Sequence, residues 1–169
     1  MKKKLIIRFI VFYLLTVIVG TLSHFAFSKF NFPMFLKPIF PINESIFEHL
    51  KLFFYPFILF SIIEGIIYDE KLDYFIAKRG FIISFIMLFE IAYVSIMTKI
   101  FGSNAFINIS SYYINILIAF LISYYLKKES KIIKIGGYIN IFLWLIVFFY
   151  FTSYPIDSYI FIDPLKANS

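Results

Sequence analysis

Five long apolar runs divide the sequence, and each is close to the roughly 20 residues that a helix needs to cross a bilayer. They lie at about Leu5–Phe27, Ser45–Tyr68, Gly80–Phe101, Phe106–Leu126 and Gly137–Tyr154. The chain is 62% hydrophobic and 15% charged, whereas an ordinary soluble domain has about 25% charged residues. A core of 169 residues is too small to hide that much apolar surface, so lipid has to cover part of it. The runs predict an all-α integral membrane bundle of five transmembrane helices.

The runs belong to one folding unit. Their connections are short, and no repeat or linker separates them, so 1–169 is interpreted as a single transmembrane helical domain. The first run follows Met1-Lys2-Lys3-Lys4 and resembles a signal peptide, but its apolar stretch is too long for one. An uncleaved first helix is therefore expected. The chain has no cysteine, which excludes disulfide bonds and thiol catalysis.

The basic residues indicate how the helices are oriented. One side of the predicted bundle carries Lys2, Lys3, Lys4, Arg8, Lys71, Lys78, Arg79, Lys127, Lys128, Lys131 and Lys134, and the other carries Lys29, Lys37, Lys99 and Lys166. The positive-inside rule places the N-terminus in the cytoplasm and, after five crossings, the C-terminus outside. Lysines that face anionic headgroups also explain the net charge of +6 without any nucleic acid. Abundant Phe, Tyr, Ile, Lys and Asn are typical of an AT-rich bacterial genome, so the expected location is the bacterial cytoplasmic membrane.

Two segments on the predicted outer face are apolar but broken by proline. Phe30–Ile42 contains Pro33, Pro38 and Pro41, and Tyr154–Leu165 contains Pro155 and Pro164. Proline lacks a backbone N–H and disrupts a continuous helix. We expect both segments to lie at the interface or to dip into the outer face of the bundle. A loose interfacial segment remains the alternative at both places.

The densest group of polar residues opens the second helix and reads Asn43-Glu44-Ser45-Ile46-Phe47-Glu48-His49-Leu50-Lys51. Ser45-x-x-Glu48 matches a capping box, in which the serine side chain accepts from one free N–H and the glutamate reaches back to another. Capping explains Ser45 and Glu48. It leaves Glu44, His49 and Lys51 without an explanation, so this motif is the main candidate for a functional site.

The motif Asn-Glu-Ser-x-aromatic-Glu-His-x-Lys resembles the signature of a family of small multi-pass membrane proteins from low-GC Gram-positive bacteria, classed as a domain of unknown function. The resemblance extends to His24, late in the first helix, and to Asp163-Pro164 near the C-terminus. Phe47 stands where the family is expected to have Trp. The resemblance implies a membrane protein and no particular activity.

Other polar residues lie inside the predicted helices. Glu90 falls near the bilayer centre, where a charge costs at least about 2.5 kcal/mol, so it has to be protonated or paired. Lys51 is the cation nearest to it in depth, and a Lys51–Glu90 ion pair is predicted. Asn115 is interpreted as an interhelical hydrogen-bonding residue. Glu64 falls near the inner surface and is interpreted as a solvated carboxylate.

The polar residues predict one site in the outer half of the bundle. His24 ends one helix and the motif opens the next, and consecutive helices are usually neighbours. We therefore expect His24 within roughly 8 Å of Glu48 or His49, a gap that a metal ion or a water molecule spans. The predicted pocket consists of His24, Asn43, Glu44, Glu48, His49, Lys51 and Glu90.

Three functions remain open from the sequence. The first is a binding or accessory membrane protein whose pocket holds a lipid headgroup, a cation or a small solute, or which assists another membrane protein. The second is a metal-dependent membrane hydrolase. Its candidate ligands for a divalent ion such as Zn²⁺ are His24, His49, Glu44 and Glu48, and its candidate catalytic residues are Glu44, Glu48 and His49. The third is a structural scaffold without an active site.

Overall fold

A computed structural model describes residues 2–30, 32–102, 104–126 and 129–163. These residues form five α-helices: α1 (Lys2–Phe30), α2 (Ile46–Ile67), α3 (Leu72–Phe101), α4 (Ala105–Tyr125) and α5 (Lys131–Ser153). All five are long and apolar enough to cross a membrane, and no strand occurs in the described part of the chain. The predicted all-helical architecture is confirmed. Lys127, Lys128, Pro164 and Lys166, used in the sequence argument, lie outside the described residues.

Two helices begin more than one turn earlier than predicted. α3 starts at Leu72 rather than Gly80, and α5 starts at Lys131 rather than Gly137. The early turns are polar, and the prediction excluded them because it followed hydropathy alone. A polar helix end is compatible with a membrane protein, since charged side chains there reach the headgroup region. The extension of α3 matters for function because it places Lys78 and Arg79 inside a helix.

Contacts between side chains define the two ends of the bundle. At one end, called the Arg8 end, Arg8 near the start of α1 binds Glu64 near the end of α2. At the opposite end, called the His24 end, His24 of α1 meets His49 in the first turn of α2. The first two helices therefore run antiparallel, as the short connection between them predicts.

The connection between α1 and α2 and the segment after α5 both pack at the His24 end. A short 3₁₀ helix (Met34–Leu36) interrupts the first connection, and another (Tyr159–Phe161) follows α5. The Phe161 ring lies 4.5 Å, centroid to centroid, from the Phe47 ring at the start of α2. In the first connection, the carbonyl oxygens of Lys37 and Pro38 accept hydrogen bonds from side chains of α2. Both segments are therefore held against α2, which is the most buried of the five candidate spans.

Candidate metal-binding site

The start of α2 is shaped by side chains that replace missing helical hydrogen bonds. Ser45 Oγ accepts a hydrogen bond from the Glu48 backbone N–H, so the predicted serine cap is confirmed. The glutamate half of the capping box is wrong. Asn43 Oδ1 already accepts the Ser45 N–H, and the Glu48 carboxylate accepts the N–H of Ile42 instead. Asn43 therefore stabilises the backbone turn, and it is not among the three grouped metal-binding side chains.

This turn brings three metal-binding side chains together. His24 Nε2 lies 3.0 Å from His49 Nε2, well inside the predicted separation. Glu44 Oε2 lies 3.3 Å from His24 Nε2 and 3.4 Å from His49 Nε2. The expectation that His24, His49 and Glu44 meet at one place is confirmed.

The hydrogen bonds of His49 direct its free nitrogen toward this meeting point. His49 Nδ1 lies 3.0 Å from the Ser45 carbonyl oxygen, which only accepts, so Nδ1 carries the proton. The Nε2 of the neutral ring is then a lone pair that faces His24 and Glu44. A backbone carbonyl that fixes the tautomer is the usual outer support of a metal-binding histidine.

Three electron-rich atoms at such distances require a metal ion or a proton between them. Without a metal ion, a proton has to sit on one of the two Nε2 atoms, because two imidazole lone pairs and a carboxylate repel one another. When protonated, His49 donates a hydrogen bond to Glu44, and this bond together with the charges of both imidazolium rings holds the pKa of the Glu44 carboxyl below its usual value. All three side chains are partly exposed, so an ion can reach them from solvent.

Glu48 and Lys51 are not part of this group of three side chains, but they stabilise the segment that carries Glu44. Lys51 Nζ lies 2.6 Å from Glu48 Oε2, and it also donates to the carbonyl oxygens of Lys37 and Phe40. Thr152 of α5 donates to the other Glu48 oxygen. The buried ion pair ties the proline-containing connection to α2, and that connection carries Glu44.

The predicted Lys51–Glu90 ion pair is wrong. Glu48, three residues away on the same helix, takes Lys51. Glu90 lies 2.6 Å from Ser111 Oγ and 2.5 Å from Asn115 Nδ2 of α4. The Lys51–Glu90 pair was predicted only because the two residues have similar depths in the membrane. Glu48 and Lys51 are three residues apart on one helix, so their side chains are already neighbours. The role predicted for Asn115, an interhelical hydrogen bond, is confirmed.

A second polar cluster, at the Arg8 end, was not predicted from the sequence. Glu64, interpreted there as a solvated carboxylate, is 0% exposed. It binds Arg8 at 2.6 Å and Arg79 at 2.7 Å, and it accepts from Tyr124. The signal for this cluster was Arg8, which lies inside the first apolar run and so needs a partner. It had been used only to predict the orientation of the helices.

Comparison of the chain with models of known protein families, with curated proteins and with solved structures found no match. Function therefore has to be argued from the geometry of the two clusters.

Proposed function

We propose that this chain is a metal-binding protein of the bacterial cytoplasmic membrane, which holds one divalent transition-metal ion such as Zn²⁺ through His24, Glu44 and His49. The triangle formed by the three ligand atoms carries this proposal. A tetrahedral ion about 2.0–2.1 Å from each ligand separates its ligand atoms by about 3.3 Å. The observed separations are 3.0, 3.3 and 3.4 Å.

The composition of the site favours zinc over calcium or magnesium. Two imidazole nitrogens and one carboxylate suit Zn²⁺, whereas hard ions prefer sites made of oxygen atoms. Three protein ligands leave a fourth position for water or for a group on a partner molecule. We infer a binding or accessory role, in which the ion is held for, or presented to, a lipid headgroup, a small solute or another membrane protein.

The charge distribution supports an N-in, C-out orientation. Lys71 and Lys78 lie at the Arg8 end, and Lys131 and Lys134 open α5 beside them. The positive-inside rule assigns this end to the cytoplasm, and the metal site with its proline-containing segments then lies at the outer interface. Reporter fusions after Lys128 and after Ser169 test the assignment. The first should report the cytoplasm and the second the outside, and both on one side would contradict it.

The hydrolase is the second candidate function. A His₂-carboxylate set with an open position is the ligand arrangement of many zinc peptidases. A hydrolase also needs a general base beside the bound water. Of the candidate catalytic residues, Glu48 is the one that is not a ligand in this arrangement, and its carboxylate is occupied by Lys51 Nζ and the Ile42 N–H. The site thus has the ligands of a hydrolase but no free glutamate to serve as its base, which is why we favour binding.

Metal analysis of purified protein tests the proposal. The protein should be isolated in detergent without chelator, through an affinity tag that contains no histidine, and should carry about one zinc ion per chain. Replacing His24 and His49 together by Ala should abolish retention, and Glu44→Gln should weaken affinity by at least about 10–100-fold.

Asn104→Ala is the matched control, because Asn104 caps α4 and contributes none of the three grouped ligand atoms. It should lose the cap but retain wild-type zinc. Zinc-free wild-type protein that also fails to take up added Zn²⁺ would leave the structural scaffold as the better interpretation.

A further inference from the structure

The Arg8 end contains a cavity of 540 Å³ that is separate from the metal site. Side chains from α1, α3, α4 and α5 line it, together with the connections that join α2 to α3 and α4 to α5. Its cationic lining residues are Arg8, Lys71, Lys78 and Arg79, and its carboxylates are Asp69, Glu70 and Glu129. Most of these charges are already paired, so the unpaired ones indicate what the cavity can bind.

The paired charges account for Arg8 and Lys71. Arg8 binds Glu64 and Glu70, each at 2.6 Å. Lys71 binds Glu129 at 3.2 Å in an exposed pair. Neither cation has to recruit a further anion.

Lys78 has no carboxylate partner within salt-bridge distance among the described residues. Its ammonium donates instead to the carbonyl oxygens of Ser123 and Leu126, at the C-terminal end of α4. Two carbonyl groups use two of its three donors. A half-buried ammonium therefore keeps one donor and a full charge available at the cavity.

Arg79 supplies a second donor. It is 1% exposed, and it shares the single carboxylate of Glu64 with Arg8. Its Nε–H is buried and has no acceptor among the described residues. A buried donor without a partner is costly. Arg79 is a lining residue of the cavity, so a small shift of its side chain would let a ligand oxygen accept from Nε and remove that cost.

We propose that this cavity binds a phosphate group through the Lys78 ammonium and the Arg79 guanidinium. A phosphate group carries negative charge, and its oxygens accept several charge-assisted hydrogen bonds at once. A carbonyl group or a water molecule also accepts hydrogen bonds, but it carries no charge to oppose that of Lys78 and Arg79. The phosphate belongs either to a phospholipid headgroup, which reaches a cavity between helix ends from the adjoining leaflet, or to a soluble phosphate. The inference is independent of the zinc proposal.

Binding to detergent-purified protein tests the idea with three probes: dioctanoyl phosphatidylglycerol, inorganic phosphate, and dioctanoylglycerol, which lacks the phosphate. We expect saturable binding of a phosphate-containing probe and none of dioctanoylglycerol. Binding of the lipid alone identifies a headgroup site. Binding of inorganic phosphate, with competition against the lipid, identifies a site for the group itself. Failure of both phosphate probes, or equal binding of dioctanoylglycerol, would overturn the proposal.

Two variants localise the site. Lys78→Gln should weaken binding about tenfold or more, because it removes the charge while keeping a donor for the α4 carbonyls. Lys131→Gln is the matched control, since Lys131 is exposed near the same end but does not line the cavity. It should change affinity by less than about twofold. Equal weakening by both variants would mean unspecific attraction to a basic surface and would contradict the site.

A variant that gains affinity guards against misfolding. Asp69 lines the cavity, is exposed, and has φ = 50°. Asn tolerates this left-handed backbone as Asp does, so Asp69→Asn should fold normally. Removing a carboxylate that repels phosphate should tighten binding about twofold to fivefold at low salt. Unchanged or weaker binding in this variant would count against a phosphate site.

Discussion

The carboxylate of Glu48 and the ammonium of Lys51 lie 2.6 Å apart in a pocket where both side chains are almost completely buried. The pair is surrounded by hydrogen bonds to Ile42 N–H, to the carbonyl oxygens of Lys37 and Phe40, and to Thr152. It therefore does more than neutralise two charges. It fastens the connection between α1 and α2 to the bundle and sets the position of Glu44.

Breaking this pair on one side should destabilise the protein strongly. Glu48→Gln or Lys51→Met should each lower the free energy of unfolding by about 3–5 kcal/mol, because each leaves a buried charge unpaired. The double variant should recover much of that loss. Thermal unfolding in detergent measures the three values, and strictly additive effects would show that the two residues are not coupled.

The exposed pair Lys71–Glu129 is the control for this cycle, since Lys71→Met should change stability little.

Zinc affinity should also fall in the two single variants, as the segment that carries Glu44 loosens. A single variant that unfolds earlier but keeps wild-type zinc affinity would separate the ion pair from the metal site.

The sequence predicted this region well where local chemistry decided the outcome. The Ser45 cap and the approach of His24 to His49 followed from helix geometry and from a short connection. The partner of Lys51 was missed because the prediction compared depths in the membrane and overlooked the spacing of three residues between Glu48 and Lys51 on one helix. Glu64 was misjudged for a different reason: it pairs with Arg8 and Arg79, and hydropathy had assigned Arg79 to a loop.

Replacing Glu90 by Gln should be tolerated. Ser111 Oγ lies 2.6 Å from Glu90 Oε1 and also 2.9 Å from the Asn108 carbonyl oxygen. One hydroxyl proton serves one of these contacts, and the carbonyl only accepts. Ser111 is able to donate to Glu90, but no described cation lies within salt-bridge distance of Glu90, and an unpaired charge at this depth is costly. We therefore expect a neutral carboxyl, which donates to Ser111 while Ser111 donates to Asn108.

A glutamine amide reproduces this pattern, donating to Ser111 and accepting from Asn115. We expect Glu90→Gln to change the free energy of unfolding by less than about 1 kcal/mol, because it exchanges one neutral, hydrogen-bonded group for another. Glu90→Leu should cost more, since it leaves Asn115 without its acceptor. A large loss in the Gln variant would show that Glu90 is ionised.

The same substitution at Glu64 should have the opposite result. Glu64 binds two arginines and the Tyr124 hydroxyl, so Glu64→Gln leaves excess positive charge in a buried cluster. We expect a loss of about 3–5 kcal/mol in unfolding free energy. Glu90→Gln, measured beside it, controls for the effect of a buried amide, and similar losses in both variants would contradict the assigned charge states.

Zinc affinity should fall as the pH is lowered. Imidazole binds a metal ion only in its neutral form, so each histidine ligand has to release any proton on the Nε2 atom that would bind the ion. The pKa of the Glu44 carboxyl is lowered by its bond to His49 and by the imidazole charges, so Glu44 remains a carboxylate at a pH where an ordinary glutamate begins to protonate. The histidines should therefore control the loss of metal.

With two histidine ligands, the affinity should fall by up to about 100-fold per pH unit at the acidic limit. Zinc competition titrations across mildly acidic to neutral pH measure the slope. Glu44→Gln should lower affinity at every pH but leave the slope unchanged. A slope that depends on Glu44 and not on the histidines would contradict the ligand assignment.

The contact between α3 and α5 gives a test of the helix packing that supports both clusters. A Cβ atom added to Gly137 of α5 would collide with the Ala77 backbone of α3. Backbone does not move aside as a flexible side chain does, so Gly137→Ala should separate the two helices and cost about 1–3 kcal/mol or more.

Gly136, the preceding residue on the same helix, has its nearest neighbour 3.6 Å away on the Phe81 ring, which is ordinary contact. Gly136→Ala should therefore be neutral or stabilising by up to about 1 kcal/mol, because alanine favours the helix. Thermal unfolding of the two variants side by side makes the comparison, and equal stability would mean that α5 does not pack on α3 through Gly137.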